Sequence, residues 1–239
     1  MQSNALQRIS CARAVALLSA LTLAGCQTHR TIGWSRFVVV PAGAPAGLAV
    51  PGSFEALRGI WVARERADAP SPPQVLQQDR QGENADFNLA LLTGFSADAG
   101  KVSVQLRAID GEHDQGGGLV WRAQGMNDYY LVRWNPLEKN LRAYVVRNGE
   151  RKMLKSVGVD FGDAWHRLDV EFDSEKFTVS LWSGETRVSG SVETVVKMVG
   201  PGACVSFGVA CIPELPAGRV GVWTKADART LFDDFVLAD

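Results

Sequence analysis

The chain lacks a surplus of either charge: 25 Lys and Arg stand against 26 Asp and Glu, leaving a net charge of -1. Without a basic excess nothing neutralises a phosphate backbone, so nucleic acid is excluded as a partner on electrostatic grounds. Histidine is scarce too. His29, His113 and His166 fall at no metal-ligand spacing, and no zinc site is expected. Beyond the first 25 residues, charge or glycine breaks every hydrophobic run well short of the roughly twenty apolar residues of a transmembrane helix. Helical periodicity is nearly absent, and there is no internal repeat or low-complexity linker. Gly116-Gly117-Gly118 has no following Lys-Ser/Thr and no helix, which argues against a phosphate loop and for a bulge or a close backbone approach.

What is present begins at the N-terminus. Arg8 and Arg13 precede an apolar stretch from Ala14 that closes in Leu23-Ala24-Gly25-Cys26. A basic region, a short apolar region and small residues before a cut mark a secretory signal, too short to span a bilayer. Cysteine directly after Leu-Ala-Gly makes it a lipoprotein signal, with the Cys26 thiol as acyl acceptor. Residues 1–25 are therefore expected to be removed, 26–36 to form a short tether, and 37–239 to form one domain beside the membrane. Two or more acyl chains anchor a protein stably where one does not. By similarity to Gram-negative lipoproteins, Gln27 in place of aspartate implies the outer membrane, with the domain facing the periplasm.

Of the four cysteines, Cys11 leaves with the signal and Cys26 takes lipid. Cys204 and Cys211 remain, an even pair in an oxidising compartment, read as a disulfide; the alternative is two buried thiols.

The dominant period along the chain is two. Val102, Val104, Leu106 and Ala108 alternate with polar residues, as do Leu168, Val170 and Phe172, and Phe177, Val179 and Leu181. Further strands are expected over 118–122, 129–134, 141–146, 219–223 and 230–237, with a turn at Arg147-Asn148-Gly149-Glu150. Many short strands with regular turns predict an all-β sandwich of two antiparallel sheets. Asp68-Ala69-Pro70-Ser71-Pro72-Pro73 is expected as an exposed loop.

The most specific signal lies in mid-chain: Asp114-Gln115-Gly116-Gly117-Gly118-Leu119-Val120-Trp121-Arg122, Asn127-Asp128-Tyr129-Tyr130-Leu131-Val132-Arg133, and Asn135-Pro136-Leu137-Glu138-Lys139-Asn140-Leu141-Arg142. With Gly59-Ile60-Trp61, residues 69–76, Trp165-His166, residues 221–227 and residues 231–235, these motifs resemble the bacterial 3-keto-disaccharide hydrolase-type domain. The resemblance implies a concanavalin-A-like, laminin-G-like jelly roll and a carbohydrate partner. On such a surface Trp121, Tyr129 or Tyr130, and Trp223 are stacking candidates, with Asp114, Arg122, Arg133, Asn135, Glu138, Asn140 and Lys225 as polar ones. Period two places Tyr129, Leu131 and Arg133 on one face and Tyr130, Val132 and Trp134 on the other.

If the family's reaction is carried over, a 3-keto glycoside is cleaved through loss of its C2 hydrogen. Glu138 then takes the role of base, and Arg122, Arg133 or Lys225 stabilises the enolate. A divalent metal in the electrophile's place would draw on Asp114, Glu138 and Asn140. The other readings are a non-catalytic glycan-binding lipoprotein and a structural envelope protein. Two further motifs are set aside. Glu171-Phe172-Asp173-Ser174-Glu175 has glycosidase-like E-x-D-x-E spacing but hairpin composition, and Glu171 faces away from the core side. Asp233-Asp234 is expected as a solvated strand edge rather than a calcium site.

Overall fold

The computed structural model describes residues 31–34, 37–43, 52–79, 82–193 and 215–238. Cys26, the signal peptide and the Cys204–Cys211 pair lie outside the described residues. In chain order the strands are β1 (Thr31–Trp34), β2 (Val39–Pro41), β3 (Phe54–Arg58), β4 (Trp61–Glu65), β5 (Gln74–Gln78), β6 (Phe87–Leu92), β7 (Gly100–Asp110), β8 (Gly117–Ala123), β9 (Tyr129–Asn135), β10 (Asn140–Arg147), β11 (Glu150–Gly158), β12 (His166–Phe172), β13 (Lys176–Ser183), β14 (Thr186–Glu193), β15 (Arg219–Lys225) and β16 (Arg229–Ala238).

Among the described residues these strands form two sheets. One runs β14-β13-β12-β7-β16-β5-β4 with β1 added beside β16; the other runs β11-β10-β9-β8-β15-β6-β3-β2. All pairings are antiparallel except β2 with β3. The pair β15–β16 comes from the far end of the chain yet sits in the middle: β15 lies between β8 and β6, and β16 between β7 and β5. β1 pairs Thr31–Trp34 with Phe235–Ala238, within the stretch expected as tether.

Between the sheets, Val102, Val104 and Leu106 of β7 and Leu168 and Val170 of β12 pack with Leu119, Trp121, Tyr130, Val132 and Trp134 of the second sheet. Those first-sheet strands alternate because their other face meets water. Strands β8, β9 and β15 do not alternate. They are buried on both faces, and Leu89, Leu91, Val120, Tyr129, Leu131, Tyr144, Val146 and Trp223 form a second apolar cluster on the far side of their sheet.

That far side is strongly concave. Tyr144 on β10 and Phe87 on β6 are four strand spacings apart, roughly 19 Å in a flat sheet, yet the Arg151 guanidinium lies 4.4 Å from one ring and 5.2 Å from the other. Gly118 of β8 and Gly221 of β15 stand on this face, where backbones crowd. A Cβ on Gly118 would fall 1.7 Å from the Val132 carbonyl oxygen, and one on Gly221 2.1 Å from that of Ala90. The glycine run thus serves close backbone approach, as its composition implied.

Asp233 and Asp234 correct the solvated-edge expectation. Asp233 is fully buried, and its carboxylate accepts the Ser71 and Asp234 backbone N–H groups, while Ser71 Oγ donates to Asp234. The Ser-Pro loop before β5 is therefore tied to the bulge in β16 rather than free in solvent.

Candidate functional site

The mid-chain motifs converge at one end of the concave face. Arg133, on β9, is 1% exposed, and its Nη1 donates to both oxygens of Asp114, each at 3.1 Å; Asp114 is also 1% exposed. Lys225 from β15 reaches Asp114 Oδ2 at 3.2 Å, and Asn135 Nδ2 donates to Oδ1 at 2.7 Å. Burial pushes the Asp114 carboxyl above its ordinary value, against the pull of Arg133 and Lys225.

The turn between β9 and β10 supplies the outer half. Asn135 Oδ1 accepts the Glu138 backbone N–H at 3.0 Å, an Asx-type closure that fixes the turn after Pro136. Glu138 then points back over the strands. Its Oε2 accepts Arg142 Nη1 at 2.6 Å, Arg133 Nη2 at 2.9 Å and Asn140 Nδ2 at 3.1 Å; Oε1 accepts none of these bonds. Burial alone would raise the Glu138 pKa, but the bond from Asn140 and the Arg133 and Arg142 guanidinia hold it below the usual carboxylate value. The Glu138 side chain is 42% exposed, with Arg142 and Lys225 also partly open. The site is thus a buried Arg–Asp–Asn base carrying a solvent-facing rim.

Asp114 is held in place by a residue that sequence reasoning passed over. Asp227, in the turn between β15 and β16, accepts the backbone N–H groups of Glu112, His113 and Asp114 at 2.6, 3.0 and 3.0 Å. Burial raises its pKa, but these three donors outweigh that and hold the carboxyl below its ordinary value. A depressed folded pKa stabilises above the unfolded value near 3.9, and the contribution disappears as pH falls through the folded pKa. Asp227→Ala is expected to lose about 2 kcal/mol near neutral pH. The gap to the unaltered chain should narrow below about pH 4, as urea denaturation across pH would measure.

The aromatic candidates divide differently from expectation. Trp121 and Tyr130 are core residues, stacked 5.6 Å apart between the sheets, and cannot meet a sugar. Tyr129 and Trp223 do lie on the concave face, joined by a 3.3 Å bond from Trp223 Nε1 to Tyr129 Oη, but both are fully buried, with Arg151 5.9 Å from the Trp223 ring. So both tyrosines are buried, on opposite faces, and neither offers the open stacking surface expected of one of them.

Arg122 is also misplaced for the site. It sits at the other end of β8, where Nη1 donates to Leu215 O and Nε and Nη2 to Asp98 O. An open depression of about 520 Å³ adjoins it, bounded by Asp98, Asp173, Ser174 and Pro216. The E-x-D-x-E segment is a hairpin: Asp173 accepts the Glu175 and Lys176 N–H groups, and Glu171 is exposed. His166 is a core residue, edge-on to Trp134 at 4.7 Å.

A divalent metal does not fit Asp114, Glu138 and Asn140. Both Asp114 oxygens are taken by Arg133, Lys225 and Asn135, and Oε2 of Glu138 by two guanidinia and an amide, so cationic side chains already occupy the electrophile's place. Among the described residues no three His, Cys, Asp or Glu side chains converge.

Comparison with solved structures places this geometry. The chain is similar to the carbohydrate-binding module CBM66 from Bacillus subtilis, at 14% identity over 77% of this chain and 94% of that one, with a TM-score of 0.57. It is similar also to the winged bean acidic lectin complexed with methyl-α-D-galactose, at 8% identity over 88% and 98%, with a TM-score of 0.52. The fold is a jelly-roll sandwich. At these identities the jelly-roll likeness extends to the fold alone. No protein-family model and no curated protein matches the chain.

Proposed function

We propose that this jelly roll is a glycan-binding domain whose site is the rim of Glu138, Arg142 and Lys225, with the buried Asn140 amide behind Glu138. The observation that carries the reading is the buried Arg133–Asp114 pair beneath that rim. A desolvated ion pair is a poor way to gain stability, but it holds exposed donors and acceptors in one geometry, as hydroxyl recognition requires. Carbohydrate-binding neighbours with the same fold support it.

The motif resemblance keeps a 3-keto glycoside hydrolase as the competing reading. Its base would be Glu138, and a carboxylate held below the ordinary value is tuned away from the near-neutral pKa a general base needs. We therefore favour binding without turnover. Arg142→Leu is expected to weaken glycan binding at least about tenfold while costing under about 1 kcal/mol of stability, because its pair with Glu138 is partly exposed. Glu171→Gln, remote from the rim, should change neither. Glycan-array screening of the full chain followed by calorimetry would decide; unaltered binding in Arg142→Leu would remove the rim as the site.

We further propose lipid anchoring through Cys26, on the signal motif, which places the domain in the envelope at the outer membrane. Cys26→Ser should abolish incorporation of labelled palmitate, since a hydroxyl does not replace the acyl-accepting thiol. Equal labelling of variant and parent would end the lipoprotein reading.

A further inference from the structure

The concave face carries more positive charge than it neutralises. Arg133, Arg142, Arg151 and Lys225 stand there against Asp114 and Glu138. Ion pairs are made by Arg133, Arg142 and Lys225; among the described residues Arg151 has none. Its guanidinium lies instead over Tyr144, Phe87 and Trp223, and its Nη1 is buried with no hydrogen-bond acceptor. A second buried N–H on this face, Arg133 Nε, also lacks an acceptor. Buried donors of this kind are rare because leaving them unpaired is costly, and an incoming acceptor removes the cost.

The placement of Arg151 relates it to the rim. Tyr144 is two residues from Arg142 on the same face of β10, and Trp223 two residues from Lys225 on the same face of β15. Arg151, resting on both rings, therefore lies one row along the sheet from these two partly open cations. Burial holds it below its ordinary pKa, with Arg133 among the charges that oppose its protonated form and Asp114 among those that favour it.

Resting on the glycan reading above, we propose that the ligand is an acidic glycan, a uronate whose carboxylate enters between Arg142 and Lys225 and supplies the counter-charge that Arg151 lacks. A guanidinium matches a carboxylate edge with two parallel donors. Glu138 at the rim repels densely charged chains, so one carboxylate per sugar fits better than a polysulfated polymer. The aromatic bed under Arg151 is a support for the cation rather than a stacking platform.

The test is calorimetry on the full chain with matched ligand pairs: galacturonate, glucuronate and mannuronate–guluronate oligomers, each beside its carboxyl-reduced neutral counterpart, with a heparin oligomer and polyglutamate as further arms. The expected result is at least one uronate bound about tenfold or more tighter than its reduced partner. That ratio should fall toward one in Arg151→Met and in Lys225→Met. The comparison of ligands on the unaltered chain needs no variant to fold. Equal binding of every bound uronate and its neutral partner, or binding of the heparin oligomer in preference to every uronate, would overturn the carboxylate proposal and leave the glycan reading standing. Polyglutamate bound as tightly as the best sugar, or no sugar bound at all, would overturn both.

Discussion

Arg133→Ala is expected to lower stability by about 3–5 kcal/mol, the range for breaking a buried ion pair and leaving one partner uncompensated. At 1% exposure neither Arg133 nor Asp114 recovers its hydration when the other is removed, and Lys225 is then the one cation paired with the buried carboxylate, beside the Asn135 amide. Reading the charge pattern without coordinates suggests the opposite, a solvated residue removable at little cost. The measurement is guanidinium denaturation, with a lowered midpoint and an unchanged slope. Asp114→Leu combined with Arg133→Met should lose less than the two single changes summed, because the second removal takes away a charge the first had stranded. An Arg133→Ala chain that unfolds at the wild-type midpoint would mean that water reaches the guanidinium and that the network is not the rigid base argued above.

Gly118→Ala should be of similar size, about 3 kcal/mol or more. Its added Cβ meets the backbone carbonyl of Val132 at 1.7 Å, and a hydrogen-bonded central strand has no flexible end to swing aside. The strand must shift, which disturbs the β8–β9 register beneath Arg133. Gly158→Ala in the edge strand β11 is the control, since nothing lies within 4 Å of its Cβ position, and it should melt within about 0.5 kcal/mol of the parent. Chemical denaturation of the two variants side by side checks both statements. A tolerated Gly118→Ala would show that the concave curl is soft, and with it the fixed spacing of the rim.

The all-β class was legible because the period of two is a backbone property: a half-buried strand writes its environment into every second residue. β7, β12 and β13 were read correctly for that reason. β3, β4, β5, β6, β11 and β14 went unpredicted; of these β3, β6 and β11 alternate weakly or not at all. In β9 the parity of the faces was readable, but the burial of the outer one was not, since it depends on how far four neighbouring strands curl. The same gap explains the stacking candidates. Trp121 and Tyr130 have the right chemistry for a sugar and the wrong face, and nothing local distinguishes a ring in the core from one on the surface.

The site was legible in its residues and not in their roles. Asp114, Arg133, Asn135, Glu138, Asn140 and Lys225 are brought together, whereas Arg122, named with them, is fastened to carbonyls at the far end of its strand. Asp227 was missed because its bonds to residues 112–114 span more than a hundred positions. Arg142 closes the mid-chain motif Asn135–Arg142, and its four-residue spacing from Glu138 was the one signal that pointed to it. Arg151 carried none; on an edge strand it reads as ordinary surface charge.

By itself the sequence determined strand periodicity, the two-sheet sandwich and the residue types that recognition needs, because these follow from spacing within a few positions. Only the tertiary structure decided which charges are buried, which rings are core and which carboxylate is held by which cation. Those outcomes depend on β15 inserting between β8 and β6, and on the curl that carries Arg151 across to Phe87. Adjacency between strands a hundred residues apart sets desolvation, and desolvation sets what an arginine or an aspartate does.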